Sequence, residues 1–157
     1  HQKIKVKKSK LTSQKSKIEN QKKSKKQNQK NDRIPFILLV EDNAIALKTI
    51  ESLARLSHCT YICAENGAAA FQLVKEHQFD LVITDLGLPD FSGLELTQKI
   101  RTWEKEANLS AMPIIGLSVH AMNDAALSVG MNDLLMKPLT LSDFHRLLSD
   151  YIDMSNP

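Results

Sequence analysis

The chain has 157 residues, and its 21 Lys+Arg and 18 Asp+Glu give a net charge of +3 that is a cancellation between two unlike parts. Residues 1–33 hold 13 basic and 2 acidic side chains, which leaves 8 basic and 16 acidic for residues 34–157, where 62 of 124 residues are hydrophobic. Only the second part can build a core, its length suits one domain, and no apolar run approaches the roughly 18 residues of a membrane-spanning helix.

The first segment, 1–34, reads as a basic polar linker or tether. It contains 12 Lys, 5 Gln and no aromatic or glycine before residue 34, too polar to offset the entropy of ordering a packed structure. Ile4, Leu11 and Ile18 recur every seven residues, but Lys and Gln fill the companion positions of a coiled-coil seam. So many lysines could contact nucleic acid or anionic lipid, yet no aromatic is interleaved for base stacking, and no nucleic-acid contact is expected of the domain that follows. Residue 1 is His and no apolar signal core follows, so the sequence reads as a fragment rather than a secreted precursor.

From Pro35, short apolar runs alternate with segments of helical period. Phe36 to Val40 is the first run, followed by a helix over 44–56. Further strands are expected at Thr60 to Ala64, Leu81 to Thr84, Ile114 to Ser118 and Asp133 to Met136, with helices at about 67–77, 93–107, 121–129 and 140–152. This alternation means right-handed βαβ units and a parallel sheet with helices on both faces, hence a doubly wound α/β domain over 35–154 with a short tail at 155–157. Continuous rather than alternating apolar runs fit strands buried on both sides.

Residue types with chemical potential are weighed first as structure. Cys59 and Cys63 would lie about 13 Å apart on a strand, too far to pair, and read as small buried hydrophobes in a reducing compartment. His58, His77, His120 and His145 lack metal-ligand spacing and read as surface residues. Trp103 reads as packing, and Leu141, Phe144, Leu147, Leu148 and Tyr151 fall at the spacing that lets the last helix cover the sheet.

The charged residues are more informative. Glu41-Asp42, Asp85, Ser118 and Lys137 each stand at the carboxyl end of an expected strand. In a parallel sheet those ends share one edge, where open α/β sheets bind ligands. Three gathered carboxylates need raised pKa values or a cation, and hard oxygen ligands without convergent His or Cys favour Mg²⁺. Asp85 is placed to act as a nucleophile toward a phosphoryl group, with Lys137 and Ser118 holding phosphoryl oxygens.

Leu-Leu-Val-Glu-Asp-Asn (38–43), Asp-Leu-Gly-Leu-Pro-Asp-Phe-Ser-Gly (85–93), Pro-Ile-Ile-Gly-Leu-Ser (113–118) and Lys-Pro (137–138) occur in that order, with separations of 43, 33 and 19 between Asp42, Asp85, Ser118 and Lys137. In these stretches the chain from about Phe36 to Met154 resembles a response-regulator receiver domain of two-component signalling. The resemblance implies a flavodoxin-like five-stranded sheet in the order 2-1-3-4-5. It makes Asp85 the residue phosphorylated by a histidine kinase or histidine phosphotransfer protein, and Mg²⁺ the cofactor. Asp42 and Asp85 would ligate the ion, Glu41 through water and Gly87 through its carbonyl. Ser118 would be the hydroxyl that turns toward the phosphoryl group, Lys137 its ionic partner, and Lys137-Pro138 a cis peptide. A cytoplasmic location follows, with a membrane-bound parent among the options. The Val-Glu-Asp-Asn and Ser-Val-His-Ala-Met wording and the polar tether resemble receivers at the carboxyl end of hybrid sensor histidine kinases, and a stand-alone regulator is the other option.

Some positions depart from the family. Leu134 stands three residues before Lys137, where many receivers carry a switch Tyr or Phe. Val119 is bulkier than the small residue common after the hydroxyl, whereas Gly87 removes a side chain that could shield a phosphoryl group. An alternative reading is therefore a receiver-like protein–protein interaction module without efficient phosphotransfer. An aspartate-based phosphohydrolase would want an acid two residues after the nucleophile, where this chain has Gly87.

Overall fold

A computed structural model of the chain describes residues 33–120 and 124–152. The tether reading of 1–34, apart from the exposed Arg33 and Ile34, and the tail lie outside the described residues. Residues Ile34–Ile152 form one compact unit. Its strands are β1 (Phe36–Val40), β2 (Thr60–Ala64), β3 (Leu81–Asp85), β4 (Ile114–Ser118) and β5 (Asp133–Met136). Between and after them come helices α1 (Ala44–Leu56), α2 (Gly67–Glu76), α3 (Gly93–Glu106), α4 (Asp124–Ser128) and α5 (Leu141–Tyr151). All strand pairs are parallel, in the order β2-β1-β3-β4-β5. This is the doubly wound flavodoxin-like sheet that the alternation and the resemblance imply. Of the helix expected at 121–129, Asp124–Ser128 is helical and residues 121–123 lie outside the described residues.

The period of two along each strand explains why the runs are apolar throughout. Leu38, Val40, Val82 and Ile114 share one core with Ala70 and Val74 of α2, Leu96 and Ile100 of α3 and Ala126 of α4. Their neighbours Ile37, Leu39, Leu81, Ile83, Ile115 and Leu117 point the other way and are equally buried, on the side where α1 and α5 pack against each other. Phe144 and Leu147 of α5 are fully buried, as the helical spacing requires. Trp103 is half-buried against the first core.

Each long helix starts where a polar side chain meets its free amides. Asn43 accepts from the Ile45 and Ala46 N–H groups, Asn66 from Ala69, Ser92 from Glu95, and Thr140 forms a reciprocal capping box with Asp143. At the amino-terminal rim of the sheet, Arg101 gathers the chain. Its guanidinium donates to the carbonyls of Gly130 and Met112, to Glu104 Oε1 at 2.7 Å and to Asn132 Oδ1 at 3.0 Å. Glu104, buried on α3, accepts the Met112 N–H with its second oxygen, so its charge is paired and hydrogen-bonded. The four histidines read as surface residues are exposed, and both cysteines are free, Cys59 buried and Cys63 half-buried.

Candidate functional site

The parallel register carries the chemistry to one edge. Val40 pairs with Thr84, Asp85 with Leu117, and Ser118 with Met136, so Glu41, Asp85, Ser118 and Lys137 all emerge at the carboxyl rim. Asp42 and Asn43 complete the turn from β1 into α1, and the Asn43 N–H holds Glu41 Oε1 at 3.2 Å.

Glu41, Asp42 and Asp85 each present a carboxylate oxygen within 4.8 Å of the other two. Lys137 closes the cluster: its Nζ lies 2.8 Å from Glu41 Oε2 and 2.9 Å from Asp85 Oδ2. One ammonium is thus shared by two carboxylates. Burial works to lower the Lys137 pKa, but the bonds and charges of Glu41 and Asp85 outweigh it and leave it above its ordinary value. Burial raises the Glu41 carboxyl, Asp85 adds to the rise, and Lys137 with the Asn43 N–H only partly oppose it. The lysine's charge is therefore secured by two carboxylates, while Glu41, at 1% exposure, shares its one cation with Asp85.

Ser118 is buried to 9% exposure, and its Oγ accepts the His120 N–H at 3.1 Å, which leaves the hydroxyl hydrogen free to donate. Its carbonyl accepts the Lys137 N–H at 2.8 Å, tying the two residues' backbones together. Gly87 is exposed, donates its N–H to Asp85 Oδ1 at 3.3 Å, and has open space where a Cβ would stand. Val119 is 65% exposed, and Leu134 is half-buried against the core. The Lys137-Pro138 peptide is cis.

The donor set fits Mg²⁺: hard carboxylate oxygens converge from two strand ends, and no His or Cys joins the cluster among the described residues.

Sequence reasoning missed the fastening of the loop after Asp85. The Asp90 carboxylate accepts the N–H groups of Gly67 and Ala68, both at 2.8 Å, and that of Phe91 at 2.9 Å. The Phe91 ring lies on Gly67, where any side chain would collide with it. No spacing rule links residue 90 to residue 67. The only available signal was Asn66-Gly67, a helix start with amides to satisfy.

The response regulator receiver domain profile matches residues 37–149. The chain is 37% identical over 111 residues to the sensor protein GacS of Pseudomonas syringae, covering 69% of this chain and 12% of that protein. The co-crystal structure of the Saccharomyces cerevisiae histidine phosphotransfer signaling protein Ypd1 with the receiver domain of its downstream response regulator Ssk1 contains a chain similar to this one. The TM-score is 0.71 at 30% identity, over 75% of this chain and 88% of that one. The receiver domain of a Pseudomonas aeruginosa sensor histidine kinase, with a magnesium ion coordinated in its active site cleft, aligns with a TM-score of 0.68 at 30% identity, over 76% and 98% of the two chains. The chain thus spans only a small part of the sensor proteins it matches, and that part is the whole of the described fold. With the profile covering most of the sequence and the fold agreeing strand for strand, the chain belongs to the response regulator receiver domain family of two-component signalling.

Proposed function

We propose that this receiver takes a phosphoryl group on Asp85 from a phosphohistidine, in a reaction that depends on Mg²⁺. The observation that carries the reading is the Lys137 ammonium, 2.9 Å from Asp85 Oδ2, beside the cluster where three carboxylates converge. A carboxylate oxygen of Asp85 forms the bond to phosphorus as the phosphorus–nitrogen bond to the donor imidazole breaks. The imidazole nitrogen keeps that electron pair, and the carboxylate has no proton to lose. Lys137 then offers its charge to the phosphoryl oxygens, and Ser118 turns its free hydroxyl hydrogen toward them. Mg²⁺ held by Asp42 and Asp85, by Glu41 through water and by the Gly87 carbonyl would supply charge neutralisation and a grip on a phosphoryl oxygen.

The donor is a histidine kinase or a histidine phosphotransfer protein, a reading supported by the partner of the similar yeast receiver. Such a partner works in the cytoplasm, and no helix among the described residues is long and apolar enough to cross a membrane. The likeness to GacS supports a hybrid sensor histidine kinase as the parent, with the phosphate coming from its own kinase core. A second reading, an interaction module with little phosphotransfer, draws on Leu134, which sits packed where a switch ring would rotate.

The test is to incubate the chain with MgCl₂ and acetyl phosphate and measure its intact mass. A gain of one phosphoryl group that is lost in Asp85→Asn and without the metal supports the first reading. An unchanged mass, under conditions that label other receivers, supports the second.

A further inference from the structure

The loop between β3 and α3, residues 86–92, connects the proposed nucleophile to Gly87 and then to the next helix. Its two ends are held differently. At the far end Gly93 sits against the backbone of Asp85 and Leu86 with no room for a Cβ, and its N–H bonds the Leu86 carbonyl at 2.8 Å. At the near end Leu86 is still held by the sheet, its N–H bonded to the Leu117 carbonyl at 3.1 Å, but the next residue has a single weak tie to the site, the 3.3 Å bond from the Gly87 N–H to Asp85 Oδ1. Between them the chain leans outward to α2, where the Asp90 carboxylate caps the Gly67 and Ala68 amides and Phe91 covers Gly67.

That fastening is more than an ordinary helix cap. Asn66 already caps α2, accepting the Ala69 N–H at 2.8 Å, so Asp90 satisfies the earlier amides from another part of the fold, 22 and 23 residues away in sequence. Partial desolvation pushes the Asp90 carboxyl up, and its backbone N–H donors together outweigh that push, so the group is held as an anion. It is favoured there by the helix dipole as well.

We infer that Asp90 is a positioning residue for the phosphoryl-transfer site. By pinning the loop to the start of α2 it fixes the two peptides that meet at Gly87, so that the N–H meets Asp85 and the carbonyl would be placed to hold the metal. The inference rests on the proposed magnesium-dependent function for its metal arm only. Positioning groups outside the ligand set change metal affinity by about tenfold or more.

The experiment compares the full chain with Asp90→Ala, Asp90→Asn and Asn66→Ala. Asn66→Ala weakens the same helix start without releasing the loop, so it reports what a purely structural role would do. MgCl₂ is titrated by calorimetry, and the Gly87 amide is followed by NMR without metal. Asp90→Ala is expected to weaken Mg²⁺ binding about tenfold and to shift the Gly87 amide and speed its exchange, with Asn66→Ala near wild type on both. Asp90→Asn, which keeps an acceptor oxygen, is expected to fall between, and it serves alone if the alanine variant does not fold. Equal effects from Asp90→Ala and Asn66→Ala, or an unmoved Gly87 amide, overturn the inference. A wild-type chain that binds no Mg²⁺ sinks the functional reading instead and leaves the Gly87 amide to judge the loop.

Discussion

Glu41 and Lys137 are 96 residues apart in the chain and 2.8 Å apart in space. Lys137 also serves Asp85, so its removal leaves two carboxylates facing Asp42 with no cation, one of them almost wholly buried. Lys137→Ala should cost about 3 kcal/mol in urea unfolding, because a buried charge is left unpaired. Adding Glu41→Gln should recover a large part of that loss, and added MgCl₂ should stabilise the single variant by binding the folded state.

Residue 93 tests how tightly the strand end is held. A methyl group there would press on the Asp85 carbonyl and the Leu86 Cα, backbone that cannot step aside. Gly93→Ala should therefore cost about 2–3 kcal/mol and slow any phosphorylation of Asp85. Gly87→Ala, which meets nothing within 4 Å, is the matched control and should leave the unfolding midpoint unchanged.

The Arg101 network makes a prediction about shape as well as charge. Its guanidinium reaches two carbonyls, a carboxylate and an amide oxygen at once, from a side chain only 17% exposed. Arg101→Ala should cost about 3 kcal/mol and leave Glu104 buried without its cation. Arg101→Lys should restore little, since a single ammonium cannot reproduce the planar fork, and the pair of unfolding curves checks this.

His58 holds a left-handed backbone, φ 56°, just past the end of α1. A glycine there carries no Cβ penalty, so His58→Gly should stabilise the fold by about 0.5–1 kcal/mol in a denaturant titration. Asn108, at φ 55° after α3, tolerates the same geometry better, and Asn108→Gly should gain less.

Alkali should weaken the fold. Burial pushes the Cys59 thiol up to about 11, and burial with the Glu51 hydrogen bond takes Cys63 up to about 12, from an ordinary 9.0. Lys137 is raised as well. Groups raised in the folded state contribute stability that is complete below their unfolded pKa and lost as pH climbs through the folded one. The urea midpoint should accordingly fall between pH 9 and about 12. Glu51→Gln removes a charge 3.3 Å from the Cys63 sulfur, so it should lower that thiol's pKa and speed its alkylation at pH 9.

The strands and the site were legible because their signals are local. Branched apolar runs of five residues announce strands buried on two faces, and the acidic pair, Asp85, Ser118 and Lys137 each sit where such a run stops. A parallel sheet then brings strand ends together without any knowledge of side-chain contacts. Asp90 and Arg101 were not legible, since the distant partners that give them their roles, the Gly67 and Ala68 amides and the Gly130, Met112 and Asn132 oxygens, lie in other parts of the fold and no period or spacing points to them. Glu104 is the sharpest case: on a helix it reads as a solvated acid, and its burial follows only from the arginine one turn earlier and the Met112 amide.

The two cations also divide the sheet's labour. Arg101 rivets α3 to the starts of β4 and β5, while at the opposite tips Val119 and Met136 stand in solvent. The working end can breathe without unzipping the riveted end. Deuterium uptake should consequently be quick at the exposed Val119, past the end of β4, and slow at Ile114, so that a partner meets a pliant lip on a stiff base.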